Sequence, residues 1–351
     1  MNFRLLPLAA PVAVLLLAAP ALHAWDYEGH RLVNGVALAS LPADFPVFVR
    51  EPAAAERITW LCSEPDRWRS TPDLPTRHAN SLDHYLDLEQ LAKAGLDPAT
   101  ISSFRYEFAV QFAQGRAAHP ENFPAVEADK DADHTRVWPG FLPWTIAEYF
   151  GKLRADFARL KVLEEIGTPA DVAQTKASII ELMGVMAHFV GDGAQPLHTT
   201  IHHNGWVGDN PHGYTTWKGF HAWIDGGFIL KAGIRFDDLR GRIEPAEAFP
   251  YPSATSTSAR DPMFGFTMDY LAAQQKLVEP LYEMEKAGKL NHDEQPANPE
   301  GRAFIEQQLL AGGRMLGRIW LTAWRSAAPD PYLRGQLLKK QAAGAAPAAG
   351  K

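Results

Sequence analysis

"HFVGDGAQPLH", residues 188–198, closes a stretch that otherwise reads as core helix, and its reading decides the fold. His188 and Asp192 are four apart, so on a helix they share one face, one turn above the other. His198 follows six residues later, just past Gln195-Pro196, a pair expected to end the helix. A second segment repeats the pattern: "GFHAWIDGG" (219–227) sets His221 and Asp225 four apart. A lone buried histidine is more often a core residue than a ligand. Two His-x-x-x-Asp pairs with His198 between them point instead to a metal centre built on facing helices. Imidazole and carboxylate together suit zinc.

Outward from this stretch the chain is helical. "PADVAQTKASIIELMGVMAHFVGD" (169–192) and "PWTIAEYFGKLRADFARLKVLEEI" (143–166) are long amphipathic runs. So are "GHRLVNGVALASL" (29–41), "VFVREPAAAERITWLC" (47–62) and "SSFRYEFAVQFAQGRAA" (102–118). Two more, 262–288 and 301–327, are each expected as one continuous helix. No alternating strand pattern or internal repeat is present, so the expected fold class is all-α, a single mostly helical domain. Segments 117–140 and 199–219 read as loops. Asp129, Asp131 and Asp133 open like a calcium loop. His134 and Gly140 stand where that loop needs glycine and glutamate, so the expectation is a solvated acidic loop. Gly191 and Gly193 end a helix instead of following a strand, which excludes a dinucleotide turn.

The first residues, "MNFRLLPLAAPVAVLLLAAPALHA" (1–24), read as a secretory signal peptide: an early Arg4, an apolar run, then small residues. Cleavage before Trp25 would put Leu22 and Ala24 at the two recognition positions, and a competing cut before Leu22 would put Ala19 and Ala21 there. The expected boundaries are a leader at 1–24, a catalytic domain at 25–336 and a disordered tail at 337–351. Localisation is expected to be periplasmic or secreted. Cys62 is the only cysteine, so no internal disulfide forms. The net charge is −7, and removing Arg4 with the leader makes the chain one unit more acidic. The overall field of such a protein does not attract a polyanion. A phosphodiester substrate would need bound cations to supply the positive charge.

Further candidate ligands lie upstream: His30 in "WDYEGH", Asp66 in "SEPDRWR" and His84 in "HYLD". Trp25 would begin the mature chain, and an α-amine, with a pKa of roughly 8, deprotonates readily enough to bind a metal. In order, Trp25, His30, Asp66, His84, His188, Asp192, His198, His221 and Asp225 resemble the nine metal-ligand positions of the single-strand-specific zinc nucleases of moulds and plants, the nuclease S-one and P-one type. That family shares a superfamily with the bacterial zinc-dependent phospholipases C. The Trp25–His30 and His198–His221 spacings are similar to the nucleases. In the phospholipases the first gap is longer, the second is shorter, and the last carboxylate is a glutamate. The helix-forming run "LAGGRMLGRIWLTAW" (310–324) also resembles the family's closing helix.

The resemblance implies a helical domain with a trinuclear zinc cleft. Asp66, His84, His188 and Asp192 would hold one Zn2+. Asp192 would bridge to a second, held also by His30 and by the amine and carbonyl of Trp25. His198, His221 and Asp225 would hold a third. The implied activity is hydrolysis of single-stranded DNA or RNA to 5′-phosphate products, with water activated between paired metals about 4 Å apart. Asp66 would orient or deprotonate that water. Arg69 would neutralise phosphoryl charge, unless it is simply the partner of a helix salt bridge to Asp66. Tyr85 would stack a base and Asp87 would meet the base edge; the alternatives are core packing and a turn cap. The family's Gly-Gly-Asn base-holding turn is replaced here by "GWVGDNPHGY" (205–214), which leaves Asn210 as a displaced counterpart. Trp206, Trp217 and Trp223 would suit a lipid-binding cleft equally well, so a phospholipase C acting on phospholipid headgroups is the alternative. A non-catalytic zinc protein is a third reading. No obligate protein partner is expected.

Overall fold

The computed structural model describes residues 27–252 and 260–345. The expected leader and Trp25 lie outside the described residues. The helices, in chain order, are α1 (Tyr27–Ser40), α2 (Pro52–Leu61), α3 (Glu64–Arg69), α4 (Leu74–Ser81), α5 (Leu88–Lys93), α6 (Arg105–Ala118), α7 (Leu142–Ile166) and α8 (Pro169–Asp192). They continue with α9 (Phe220–Ala222), α10 (Phe228–Ala232), α11 (Phe236–Arg240), α12 (Pro262–Gln275), α13 (Val278–Lys286), α14 (Pro299–Ser326) and α15 (Pro331–Ala345). No strand occurs among the described residues; His203 and Gly205 form an isolated bridge. The chain is thus a single all-helical domain. Among the described residues no helix is long and apolar enough to cross a membrane.

α8 is the centre of the bundle. Its start is set by a capping box, in which Thr168 Oγ1 accepts from Asp171 N–H at 3.2 Å and Asp171 accepts from Thr168 N–H at 3.3 Å. Pro169 at the first helical position needs no N–H partner. Its second half is wholly buried, from Met183 to Asp192. α7, α2, α1 and α14 pack around it. Glycines permit the close approach. Gly184 faces Leu61 and the Ile58 carbonyl of α2, with no room for a side chain. Gly313 and Gly317 of α14 do the same against Val36 and Ser40 of α1. These contacts fix α1 and α2, and with them the groups they carry toward α8.

Several expectations need correcting. α8 stops at Asp192, before Gln195-Pro196, and those two residues open a separate 3-10 turn, Pro196–Thr199. The run 262–288 is two helices, because Pro280 has no N–H and would clash with the carbonyl four residues back; it fits only in the first turn of a new helix, α13. The run 47–62 breaks at Glu51, with a 3-10 turn before it and Pro52 at the first position of α2. α15 runs to Ala345, into the tail expected to be disordered, since an alanine-rich segment is a good helix former even when exposed. The 129–133 loop is not simply solvated. Asp131 is buried and accepts from Arg136 N–H at 3.1 Å, and Asp133 pairs with Arg77 at 3.0 Å.

Candidate metal centre

α8 delivers His188 and Asp192 to the bundle interior, and both are fully buried. The other groups come from different elements. α1 supplies His30, held in place by Asn34, whose Nδ2 donates to the His30 carbonyl at 3.0 Å. α3 supplies Asp66. A 3-10 turn, Leu82–His84, supplies His84. Reciprocal bonds clamp this turn to the Pro196–Thr199 turn: Leu86 N–H donates to the His198 carbonyl at 2.9 Å, and His198 Nδ1 donates to the His84 carbonyl at 2.7 Å. Gly140 is needed beside this clamp, at φ 98°, because it lies against the Tyr85 carbonyl where no side chain fits. His221 and Asp225 sit on the continuous turn through α9 and the π-helical segment Trp223–Gly227.

The donor atoms form three groups, each within 4.8 Å: His30, His188 and Asp192; Asp66, His84 and His188; His198, His221 and Asp225. The first two share His188, and Asp192 spans them. Its Oδ1 lies 3.4 Å from His30 Nε2, while its Oδ2 lies 3.0 Å from His84 Nδ1 and 3.3 Å from His188 Nε2. Asp66 Oδ1 is 3.7 Å from His188 Nε2 and 3.9 Å from His84 Nδ1. In the third group His221 Nε2 is 2.8 Å from Asp225 Oδ2. Eight of the nine expected ligands therefore converge; the ninth, Trp25, lies outside the described residues.

Hydrogen bonds decide the tautomers. His188 Nδ1 meets the Cys62 carbonyl at 2.6 Å, so Nδ1 carries the proton and Nε2 a lone pair. That carbonyl is free because it stands at the end of α2, where helical acceptors run out. By the same logic His198 Nε2 carries a lone pair. These lone pairs face other ring nitrogens: His188 Nε2 to His84 Nδ1 at 2.9 Å, and His198 Nε2 to His221 Nε2 at 3.1 Å. Both His30 nitrogens are buried with no hydrogen-bond partner. Carbonyl-anchored imidazoles aimed inward, with carboxylates between them, are a metal-binding arrangement. These buried His and Asp groups can hold metal ions.

Burial holds the His30, His84 and His198 imidazoles below their ordinary value, the last two well below, which keeps them neutral and ligating. Burial also raises the carboxyls: Asp192 is pushed up to about 7, and Asp225 is raised with its partners His221 and Gln195 opposing. Cations are the natural counterweight to such buried carboxylates.

His198 and His221 open onto a cleft of about 640 Å³, whose wall also includes Arg69, Tyr85 and Asp87, while His30 and Asp66 line a separate depression of about 600 Å³ beside Tyr27 and Trp60. Arg69 Nε donates to Asp66 Oδ1 at 2.6 Å, so it is both a helix ion pair and a cleft-wall group. Tyr85 is half-buried with a face on the cleft. Asp87 is buried, makes no cap bond, and is raised to about 7 by burial; its Oδ2 accepts from Gln90 at 2.7 Å and its Oδ1 has no partner. Asn210 is not on the cleft wall. Its amide closes its own loop, donating to Tyr214 O at 2.7 Å and accepting from Tyr214 N–H at 2.8 Å. The neighbouring Asn204 takes the place expected for it: it lines the cleft and its buried Oδ1 has no partner.

The three tryptophans also fall elsewhere. Trp206 stacks on His202 at 3.8 Å and donates to Asp209 O, Trp223 donates to Leu290 O, and Trp217 packs near His292. Phe123 and Trp138 line the cleft instead. Sequence reasoning also missed Gln195, whose place before a proline marks only a helix stop. Its Oε1 accepts from Leu197 N–H at 2.6 Å and its Nε2 donates to Asp225 Oδ1 at 2.7 Å, so it orients one ligand while shaping the turn that carries another. No protein-family model matches the chain, and a search of curated proteins found no match.

Proposed function

We propose that the chain is an exported zinc-dependent phosphodiesterase of nuclease type, hydrolysing single-stranded DNA and RNA to 5′-phosphate products with three resident Zn2+. The observation that carries this reading is the facing of ring nitrogens at 2.9 and 3.1 Å, one imidazole of each pair anchored to a backbone carbonyl and each pair beside a carboxylate. Asp66, His84, His188 and Asp192 would hold one ion. Asp192 and His30, completed by Trp25, would hold the second, and His198, His221 and Asp225 the third. Bound there, zinc would lower the pKa of water to about 7 and offset phosphoryl charge.

The chain's own residues account for the rest. Asp66, steered by Arg69, faces the paired groups and is set to take a proton from attacking water. Arg69 stands on the cleft wall, where a guanidinium would offset charge on phosphoryl oxygens. Tyr85 offers a stacking face. Asp87 Oδ1 and Asn204 Oδ1 are buried acceptors without donors, and a nucleobase edge supplies N–H groups to such acceptors. A quaternary ammonium headgroup supplies none, which favours nucleic acid over phosphatidylcholine.

The test is to purify the mature protein, measure zinc per chain, and assay single-stranded DNA, RNA and phosphatidylcholine in parallel. Cleavage of single strands with zinc bound supports the reading. Lipid turnover without nucleic acid cleavage overturns it in favour of a phospholipase C, and bound zinc with no turnover of any of the three makes the site structural.

A further inference from the structure

The cleft continues past the metal-binding groups, and its far wall is cationic. Lys93, Arg116, Lys130 and Arg136 all line it, in a chain whose net charge is −7. Lys130 is compensated by Glu127 at 2.7 Å. Lys93, Arg116 and Arg136 have no ion pair among the described residues. Their convergence is built into the packing. Gly115 of α6 lies against the Ala94 carbonyl just beyond the end of α5, too close for any side chain, and this brings the flanking Lys93 and Arg116 to one edge. The Asn122 side chain ties the 117–140 loop to that edge by donating to the Lys93 carbonyl at 2.9 Å. The Arg116 guanidinium lies 4.7 Å over the Phe123 ring, and its Nη1 bonds the Val137 carbonyl at 3.5 Å, next to Trp138. Aromatic rings interleaved with unpaired cations, in a concave groove, suit stacked bases and the phosphates that join them.

We propose that this wall is a second subsite, in which Lys93, Arg116 and Arg136 bind the phosphates of a single strand as it runs away from the metal-binding groups, with Phe123 and Trp138 against its bases. The inference rests on the nuclease reading and deepens it: the preferred substrate is a polynucleotide, and a dinucleotide fills only part of the site. The subsite also answers the acidic net charge, since the strand meets a local positive wall instead of the overall field.

The experiment measures binding to the zinc-loaded protein of phosphorothioate-linked oligothymidylates of two and of about twelve nucleotides, across a range of salt concentrations. The expected result is tighter binding of the longer strand. In Lys93→Ala/Arg116→Ala/Arg136→Ala the slope of log affinity against log salt for the longer strand should fall by about 2, near 0.7 for each phosphate no longer neutralised. Dinucleotide affinity should stay unchanged. Lys93→Glu/Arg136→Glu, at two exposed positions, should lower the slope by about 1.4 and guards against misfolding. Length-independent binding, an unchanged salt slope in both variants, or binding to phosphatidylserine vesicles in place of the oligonucleotide overturns the proposal. Turnover of bis(p-nitrophenyl) phosphate, measured alongside, separates the two readings. If it is present and equal in all forms while length dependence is missing, only the subsite fails. If it is absent from the unmodified protein, the phosphodiesterase reading fails.

Discussion

Asp192→Asn should make the ion-free protein more stable and the zinc-loaded protein less so. Asp192 is wholly buried, and burial moves its carboxyl from 3.8 to about 7. A group raised in the folded state contributes stability below its unfolded value and loses it as pH rises through the folded one. At pH 8 the ion-free fold therefore bears the whole cost of an ionised Asp192. About three units at 1.36 kcal/mol each set a ceiling of about 4 kcal/mol, and relaxation in the real interior brings it to about 2. Asparagine keeps the shape, removes the charge, and can donate to the His188 Nε2 lone pair now 3.3 Å from Oδ2. With about 2 °C per kcal/mol for a chain of this size, the variant in chelator should melt about 4 °C higher at pH 8. Zinc at a thousand times its dissociation constant stabilises by about 4 kcal/mol per linked site. The unmodified protein should gain that from the paired sites, whereas Asp192→Asn should keep only the gain from the His198, His221 and Asp225 group. Thermal unfolding with chelator and with zinc gives all four values. A variant that melts lower without zinc, or keeps the full zinc shift, would refute the placement of Asp192 between two ions.

Gln195→Ala should cost about 1–3 kcal/mol, because Asp225 Oδ1 and Leu197 N–H lose their buried partner, and should weaken one zinc of three about 10–100-fold; a competition titration with a chromophoric chelator reads this directly. Gly184→Val should push α2 from α8 at about 2–3 kcal/mol and lower zinc affinity with it, since the Cys62 carbonyl would no longer meet His188; a variant with normal melting and normal zinc contradicts this. Asp87→Asn should stabilise the protein more at pH 8 than at pH 5, since its carboxyl, raised to about 7, is charged in the fold only at the higher pH; urea midpoints at the two values check the sign. Asn204→Ala should raise KM for oligonucleotides while Asn210→Ala leaves it unchanged, and the reverse order would restore the loop position assigned from sequence.

What the sequence conveys here is periodic. The body of α8 was legible, since its amphipathic pattern from Pro169 agrees with one helix, but its end was not, because the helix stops at Asp192, short of the Gln195-Pro196 pair expected to end it. The two His-x-x-x-Asp pairs were legible because four residues is one helical turn. Backbone partners were not. The Cys62 and His84 carbonyls that fix the tautomers of His188 and His198 have no residue signature. Loop geometry was equally hidden. Gly205 and Gly208, at φ 86° and 77°, turn the segment so that Asn204 and not Asn210 faces the cleft. The break before α13 was written in Pro280, but the apolar pattern on both sides outweighed it. The cationic wall was missed because Lys93, Arg116 and Arg136 are scattered in the chain and share one cleft only where Gly115 packs on Ala94 and the 117–140 loop returns to that edge.

The most direct measurement is anomalous diffraction at the zinc edge from crystals of the protein. The account predicts three peaks: two flanking the Asp192 carboxylate, one on the Asp66, His84 and His188 side and one on the His30 side, and a third among His198, His221 and Asp225. Crystals grown with zinc that show no peak at these groups, or show zinc only on the surface, would contradict it.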